Sequence, residues 1–360
     1  MQAISSDETY AAAYDYELPP ELIAQTPAAR RDASRLLIVN SAGLEHRRFF
    51  DLPDVLRDGD LLVLNDTRVI PARLVGKRER EGAPVELLLL HPARGLRYDA
   101  QASRWVALAR PARRVRAGDR ILFAGFGSAE VTRVLEEGMR EVAFTLPASL
   151  ERFLERAGRM PLPPYIQNET AEAARRYQSV FARVPGSIAA PTASLHFTEA
   201  LLARLMERGI EIVRVTLDVG VGTFRPMTAE RLERHAMHAE AYAIEDSAAT
   251  AIERARGAGR RIVAAGTTVV RALEGNAQRH GQITPGEFTT ELFIRPGFRF
   301  AVVQALITNF HLPRSTLLVL VSAFAGRERI LAAYREAIER RYRFYSFGDA
   351  MLIERASCAT

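Results

Sequence analysis

Val302–Gly326 reads VVQALITNFHLPRSTLLVLVSAFAG. An apolar run ends at Thr308, and an apolar helical run begins after Ser315, a residue type suited to a helix N-cap. Between them stand Asn309, His311 and Arg314, with Pro313 to stiffen the turn. A strand passed directly to a helix is half of a βα unit, and the same rhythm extends in both directions along the chain. FTEALLARLMERG (197–209) has Thr198 as its cap, an apolar face at Leu201, Leu202, Leu205 and Met206, and Gly209 as its stop. Strand IEIVRVTL follows, then helix SAATAIERARGAG, strand RIVAAG and helix TTVVRALE. The pattern predicts an open, mainly parallel α/β sheet with helices on both faces. SRLLIVN (34–40) supplies a further strand.

Residues 61–150 have a different character. Short β-type runs such as APVELLLL, RWVALARP and AGDRILFAG alternate with Gly, Pro and Asp turns, and no useful helix interrupts them. This predicts a small β-barrel inserted into an α/β domain made of residues 1–60 and 151–360. The segment holds 15 Lys and Arg against 10 Asp and Glu, so it carries most of the +6 formal charge of the 360-residue chain. Arg110, Arg113, Arg114 and Arg116 form a basic edge on it.

Composition removes several classes. No apolar run of 18 residues exists and the N-terminus lacks a basic stretch before a hydrophobic one, which predicts a cytoplasmic protein without a membrane span. The single cysteine, Cys358, excludes an internal disulfide and a thiolate metal cage. Lys77 is the sole lysine and sits in GKRER, a poor setting for a Schiff base.

Ligands of open α/β sheets bind beyond the carboxyl ends of the strands. Three such ends are polar: DVGVGTFRP with Asp218, Gly220, Gly222, Thr223 and Phe224; GTTVVR with Gly266, Thr267, Thr268 and Arg271; and TNFHLPRS with Asn309, Phe310, His311 and Arg314. Each loop alone is what turns and caps require; three together mark a site. PGSIAAPTASLHF adds Thr192 and His196, and RHAMHAE adds His235, His238 and Glu240. The two histidines share one face if that segment is helical, able to move protons or to join Glu240 on a metal. Dinucleotide, P-loop and nucleophile-elbow motifs are absent.

The blocks NDTRVIPARL, MPLPPYI, GSIAAPTASLHFT, TLDVGVGTFRP, HAMHAE, GTTVVRALE, TNFHLPRSTLLVLVSAFAG and RFYSFGDAMLI, in that order, resemble the signature of the S-adenosylmethionine:tRNA ribosyltransferase-isomerase family. Ser194 stands where that pattern has glycine, and Asp218 where many members have histidine. The resemblance implies a step of queuosine synthesis. The ribosyl group of S-adenosylmethionine moves onto 7-aminomethyl-7-deazaguanine at the wobble position of tRNA with a GUN anticodon, releasing adenine and methionine. S-adenosylmethionine is then a consumed substrate, with no cofactor and no metal, and the protein is expected to act as a monomer. His235, His238, Asp218 and His311 become candidates for the chemistry, with Arg271 and Arg314 for an anionic group. Tyr165, Phe224 and Phe310 are candidates to stack the extruded base. With tRNA as substrate, the basic edge at Arg110, Arg113, Arg114 and Arg116 becomes the expected RNA-binding surface. Two other readings remain from the residues alone: a metal-dependent hydrolase using His235, His238 and Glu240, and a non-catalytic tRNA-binding protein.

Overall fold

The computed structural model of the protein describes residues 6–220, 222 and 227–355. A hairpin of β1 (Arg35–Asn40) and β2 (Gly43–Arg48) leads through α1 (Leu52–Val55) to β3 (Leu61–Asn65) and the short β4 (Thr67–Val69). Six strands follow: β5 (Arg73–Arg78), β6 (Pro84–Pro92), β7 (Arg104–Arg110), β8 (Arg120–Phe123), β9 (Gly127–Val134) and β10 (Met139–Thr145). Then come α2 (Leu150–Ala157), β11 (Gly158–Arg159), α3 (Ala171–Arg176) and β12 (Val184–Ser187). The remainder alternates: α4 (Glu199–Glu207), β13 (Glu211–Leu217), β14 (Glu240–Ile244), α5 (Asp246–Gly257), β15 (Ile262–Ala265), α6 (Thr267–His280), β16 (Gly286–Thr290), β17 (Ala305–Asn309), α7 (Thr316–Ala325), α8 (Arg327–Glu339) and β18 (Ala350–Glu354).

The large sheet has the order β16-β14-β13-β3-β15-β17-β18-β1-β2. It is mixed, with β13, β3, β15 and β17 forming its parallel centre. Alternate residues feed two cores. Leu61 and Val63 pack with Leu37, Val39 and the apolar faces of α5 to α8. Leu62 and Leu64 pack with Leu36, Ile38, Leu52 of α1 and Leu201, Leu202 and Leu205 of α4. Covered on both faces, these strands read as unbroken apolar runs.

β5 to β10 close into an antiparallel barrel through the β5–β8 pairing. Its core holds Leu74, Leu87, Trp105, Ile121, Val131 and Val142. The expected 61–150 segment shifts at both ends. Leu61–Asn65 belongs to the large sheet, paired in parallel with β13 and β15. All five of its residues are buried, so it lacks the alternation of a half-buried barrel strand. At the other end Leu150, Phe153 and Leu154 of α2 pack into the barrel core.

A carboxamide closes the seam where β3 and β13 end. Asn65 Nδ2 donates to the Leu217 carbonyl at 2.9 Å, and its Oδ1 accepts from the main-chain N–H groups of Leu217 and Thr67 at 3.0 and 3.1 Å. Asn65 is fully buried. Asn65→Ala strands these main-chain groups away from water, at about 1–3 kcal/mol for each buried group left unpaired. Chemical denaturation of the variant is expected to show a loss of about 3 kcal/mol; a loss below about 1 kcal/mol would refute the seam's structural weight.

Candidate active site

The four parallel strands deliver Asn65-Asp66-Thr67, Asp218, Gly266 and Asn309 to one edge of the sheet. There a cavity is lined by Tyr165, Thr192, Thr267, Thr268, His311 and Tyr345, together with Gly266, Asn309, Phe310 and Ser346. Gly266 caps α6 with φ +108°, a conformation that strains any residue with a side chain, and its N–H donates to the Ile307 carbonyl at 2.8 Å.

Asn309 has one allowed orientation. Its Nδ2 lies 3.0 Å from the Tyr345 carbonyl, which can only accept, so the amide nitrogen must face that way. The same nitrogen donates to His196 Nε2 at 3.2 Å. His196 Nδ1–H therefore donates to Ser34 Oγ at 2.7 Å, and Ser34 donates onward to the Arg31 carbonyl at 3.3 Å. The imidazole also stacks on Phe49, with ring centres 4.9 Å apart. Burial lowers the His196 pKa to about 4, which keeps the ring neutral and its Nε2 an acceptor. His196, expected from sequence to touch a ligand, instead stands behind Asn309 with both nitrogens engaged. Asn309 Oδ1 and Thr268 Oγ1 are buried and have no partner among the described residues.

His311 lines this cavity with its Nε2 2.8 Å from Thr308 Oγ1. Burial lowers its pKa to about 3, so it is neutral. Phe310 meets the cavity but packs its ring against Tyr334, Tyr342 and Phe344, which makes it core rather than a platform for an extruded base.

A second cleft opens between the strand ends and the barrel. Asp218, Gly220, Gly222, His238 and Glu240 line one wall, and Leu90, His91, Leu96, Glu137 and Met139 of the barrel line the other. Val219 borders both this cleft and the cavity at Asn309. Asp218 Oδ1 accepts from Thr67 Oγ1 at 2.9 Å, and Oδ2 is buried without a partner among the described residues. Burial raises the Asp218 pKa to about 6, a rise that the Thr67 bond and the nearby Arg97 oppose. Gly186 passes so close that a Cβ there would stand 2.6 Å from Asp218 Oδ1.

RHAMHAE is not helical. After a short turn at Leu232–Arg234 the chain runs through a loop into β14, with His238 exposed and His235 partly buried, edge-on to Phe293 at 5.5 Å. Burial, and then His238, lower the His235 pKa. A further open hollow is lined by His235, His238 and Arg271. Glu240 is buried in an ion pair with Arg271 Nη1, and it also accepts from the Gly220 N–H at 3.3 Å. Arg271 Nε donates to the Leu292 carbonyl at 2.9 Å. These bonds remove Arg271 as an anion hook and Glu240 as a partner of the histidines. Among the described residues no three His, Cys, Asp or Glu side chains are arranged to hold a metal.

Arg314 is exposed outside these cavities with φ +53°, its N–H donating to the Tyr14 carbonyl at 2.9 Å and its carbonyl accepting from the Met227 N–H at 3.0 Å. Thr223 and Phe224 lie outside the described residues. Arg113, Arg114 and Arg116 surround a hollow on the barrel with Arg78, Arg80 and Arg120, while Arg110 is exposed at the end of β7. Asn65, Asp66, Thr67, Tyr345 and Ser346 were not singled out from sequence as site residues. Their signal lay in the NDTRVIPARL and RFYSFGDAMLI blocks, whose positions at the strand ends only the fold reveals.

A carboxyl whose folded pKa is raised above its unfolded value stabilises the fold fully below the unfolded pKa, near 4, and loses that stabilisation as pH rises through about 6. Asp218→Asn keeps the acceptor for Thr67 and removes the buried charge. The variant is expected to be more stable than the parent by roughly 2 kcal/mol at pH 7.5. That gain should shrink toward zero as pH approaches 4, as denaturant titrations across this range will show; a pH-independent difference would contradict the assignment.

Residues 11–353 match the sequence profile of the family described as "Queuosine biosynthesis protein". The chain is 53% identical to the S-adenosylmethionine:tRNA ribosyltransferase-isomerase of Symbiobacterium thermophilum, over 94% of this chain and 98% of that protein. It is 54% identical to the protein of the same name from Anaeromyxobacter sp. (strain Fw109-5), over 95% and 98%. The crystal structure of S-adenosylmethionine tRNA ribosyltransferase from Thermotoga maritima matches with a TM-score of 0.53 and 38% identity, covering 95% of this chain and 99% of that one. With its mixed sheet, closed barrel and intervening cleft, the chain belongs to the queuosine biosynthesis protein family of S-adenosylmethionine:tRNA ribosyltransferase-isomerases.

Proposed function

We propose that the protein transfers and isomerises the ribosyl group of S-adenosylmethionine onto 7-aminomethyl-7-deazaguanine at the wobble position of tRNA with a GUN anticodon, releasing adenine and methionine. The observation that carries this reading is the cleft between barrel and strand ends, where Asp218 and the exposed His238 share one wall. A sulfonium acidifies the adjacent ribose C5′–H. His238 takes that proton, elimination opens the ribose and adenine leaves. The neutral aminomethyl nitrogen adds to C4′ of the vinyl sulfonium so formed, and Asp218, with an unpartnered oxygen, takes its proton; the sulfur-stabilised carbanion closes on the C1′ aldehyde, and the resulting alkoxide displaces methionine as the epoxide forms. His235, its pKa lowered chiefly by burial, lies along the same hollow as a second acceptor. The protein acts as a cytoplasmic monomer without a cofactor; no helix among the described residues is long and apolar enough to cross a membrane.

The tRNA approaches along the barrel. None of Arg110, Arg113, Arg114 and Arg116 makes an ion pair among the described residues, so their charges are available to phosphate. The turn Glu136–Gly138, whose Glu137 lines the cleft, abuts this edge: a Cβ on Gly138 would stand 3.7 Å from that of Ala112.

Incubation with S-adenosylmethionine and tRNA carrying 7-aminomethyl-7-deazaguanine is expected to release adenine and methionine; absence of both refutes the reading. His238→Ala should slow adenine release about 10²-fold or more while the protein stays folded and binds tRNA. His235→Ala should do likewise if the two histidines act in sequence. Exhaustive chelation should leave these rates unchanged, whereas loss of activity that zinc restores would favour a metal-dependent hydrolase.

Phosphate contacts by arginine release counterions, so tRNA affinity should fall steeply with salt. Reversing the charges of Arg113, Arg114 and Arg116 should weaken tRNA binding and flatten that dependence, with S-adenosylmethionine binding retained. A salt-independent affinity in the parent protein would count against the basic edge.

A further inference from the structure

The cavity at Asn309 differs in kind from the cleft at Asp218. Among the described residues no Asp, Glu, Lys or Arg side chain lines it, and Tyr165, Phe310, Tyr345, Val219 and Leu317 give it an aromatic and apolar wall. Two of the residues that line it carry buried polar atoms without partners among the described residues, Asn309 Oδ1 and Thr268 Oγ1. Leaving them so is unfavourable, and a bound polar edge would offset that cost. The Tyr345 carbonyl and His196 occupy the nitrogen of Asn309, so the oxygen is what remains for a ligand, and it can only accept. The Thr268 hydroxyl can donate. An acceptor and a donor lining one cavity with aromatic rings match one edge of a neutral aminopurine.

We propose that this cavity is the subsite for the adenine of S-adenosylmethionine, with Asn309 Oδ1 accepting from the exocyclic amino group and Thr268 Oγ–H donating to a ring nitrogen. The inference rests on the transferase reading and adds which end of the substrate lies where. With the purine beside Asn309, the ribose and sulfonium extend past Val219, the residue shared with the cleft of Asp218 and His238. The amino-acid end is the poorer occupant. Its ammonium and carboxylate would both leave water for a cavity with no charged side chain among its described lining residues, a large desolvation cost. His196 acts here as a positioning residue: neutral, it accepts from Asn309 and holds the carboxamide in its one orientation.

The test is calorimetric titration of the full chain with adenine, hypoxanthine and L-methionine, each also used to displace S-adenosylmethionine. Adenine is expected to bind and to compete. Hypoxanthine, which places a carbonyl where the amino donor stood, should bind at least about 10-fold more weakly, because the Asn309 oxygen is then left facing an acceptor. Thr268→Val, nearly the same shape without the hydroxyl, should weaken adenine about 10-fold and leave L-methionine unchanged. The ligand series needs no variant, so a folding defect in Thr268→Val cannot rescue the proposal. Failure of adenine to displace S-adenosylmethionine, equal affinity for hypoxanthine, or an L-methionine affinity that alone responds to Thr268→Val would each overturn it. Adenine release in the tRNA reaction is scored separately: this binding pattern without turnover keeps the subsite and sinks the transferase reading, and turnover without the pattern does the reverse.

Discussion

The Asn65 carboxamide, bonded to both main-chain groups of Leu217, is the constraint on which the site's geometry hangs. Three consecutive side chains at the end of β3 tie three different parts of the molecule. Asn65 closes the β3–β13 seam. Asp66 accepts from Thr216 Oγ1 at 2.6 Å and from Arg183 Nε at 2.9 Å, joining strand to connector. Thr67 donates to Asp218. The barrel begins six residues further on, at Arg73, so one buried polar cluster sets both walls of the cleft. Asn65, Asp66 and Thr67 are fully buried, and a polar group there has few ways to be satisfied. That scarcity makes the arrangement single-valued.

The same burial explains what could be read from sequence and what could not. Helices α4, α6 and α7 and strands β13, β15 and β17 were legible because their apolar periods are local. The parallel centre of the sheet and the barrel followed from those periods and from turn residues. β3 was misplaced because a doubly covered strand shows no alternation, and it sits next to runs that do form the barrel. Arg271 looked like an anion ligand because its partner Glu240 is 31 positions earlier in the chain, on another strand. His196 looked like a ligand contact because Ser34, which fixes its tautomer, is 162 positions away. Ser194, at a position where the family pattern has glycine, lies in the right-handed turn Thr192–His196 and is not at positive φ, so the backbone there makes no demand for glycine.

The joint quoted at the outset separates into three roles by direction alone. Asn309 is buried at the cavity, His311 is buried and neutral beside it, and Arg314 is exposed. Arg314 spends its main chain on Tyr14 and Met227, so that residue pins the N-terminal arm and the segment after the strand-end loop to the start of α7. A polar cluster in sequence thus became one recognition group, one packing group and one backbone clamp. The period of the chain around it could not distinguish these, because a turn points successive side chains in different directions.

Asp218 replaces the histidine of many relatives, and burial makes the exchange chemically coherent. An exposed carboxyl titrates near 4 and an ordinary imidazole near 6.5. Burial lifts Asp218 to about 6, into the histidine range, while Thr67 holds one oxygen and leaves the other without a partner. On the proposed reaction a sulfonium arrives beside this group. A nearby positive charge favours the anionic form of a carboxyl and disfavours the cationic form of an imidazole. Either side chain therefore meets the substrate without its proton, ready to accept one from an amine. The aspartate adds an attraction to the cation that a neutral histidine lacks. It also carries the cost of a buried negative charge whenever the cleft is empty above pH 6, a cost that binding of a cation would offset.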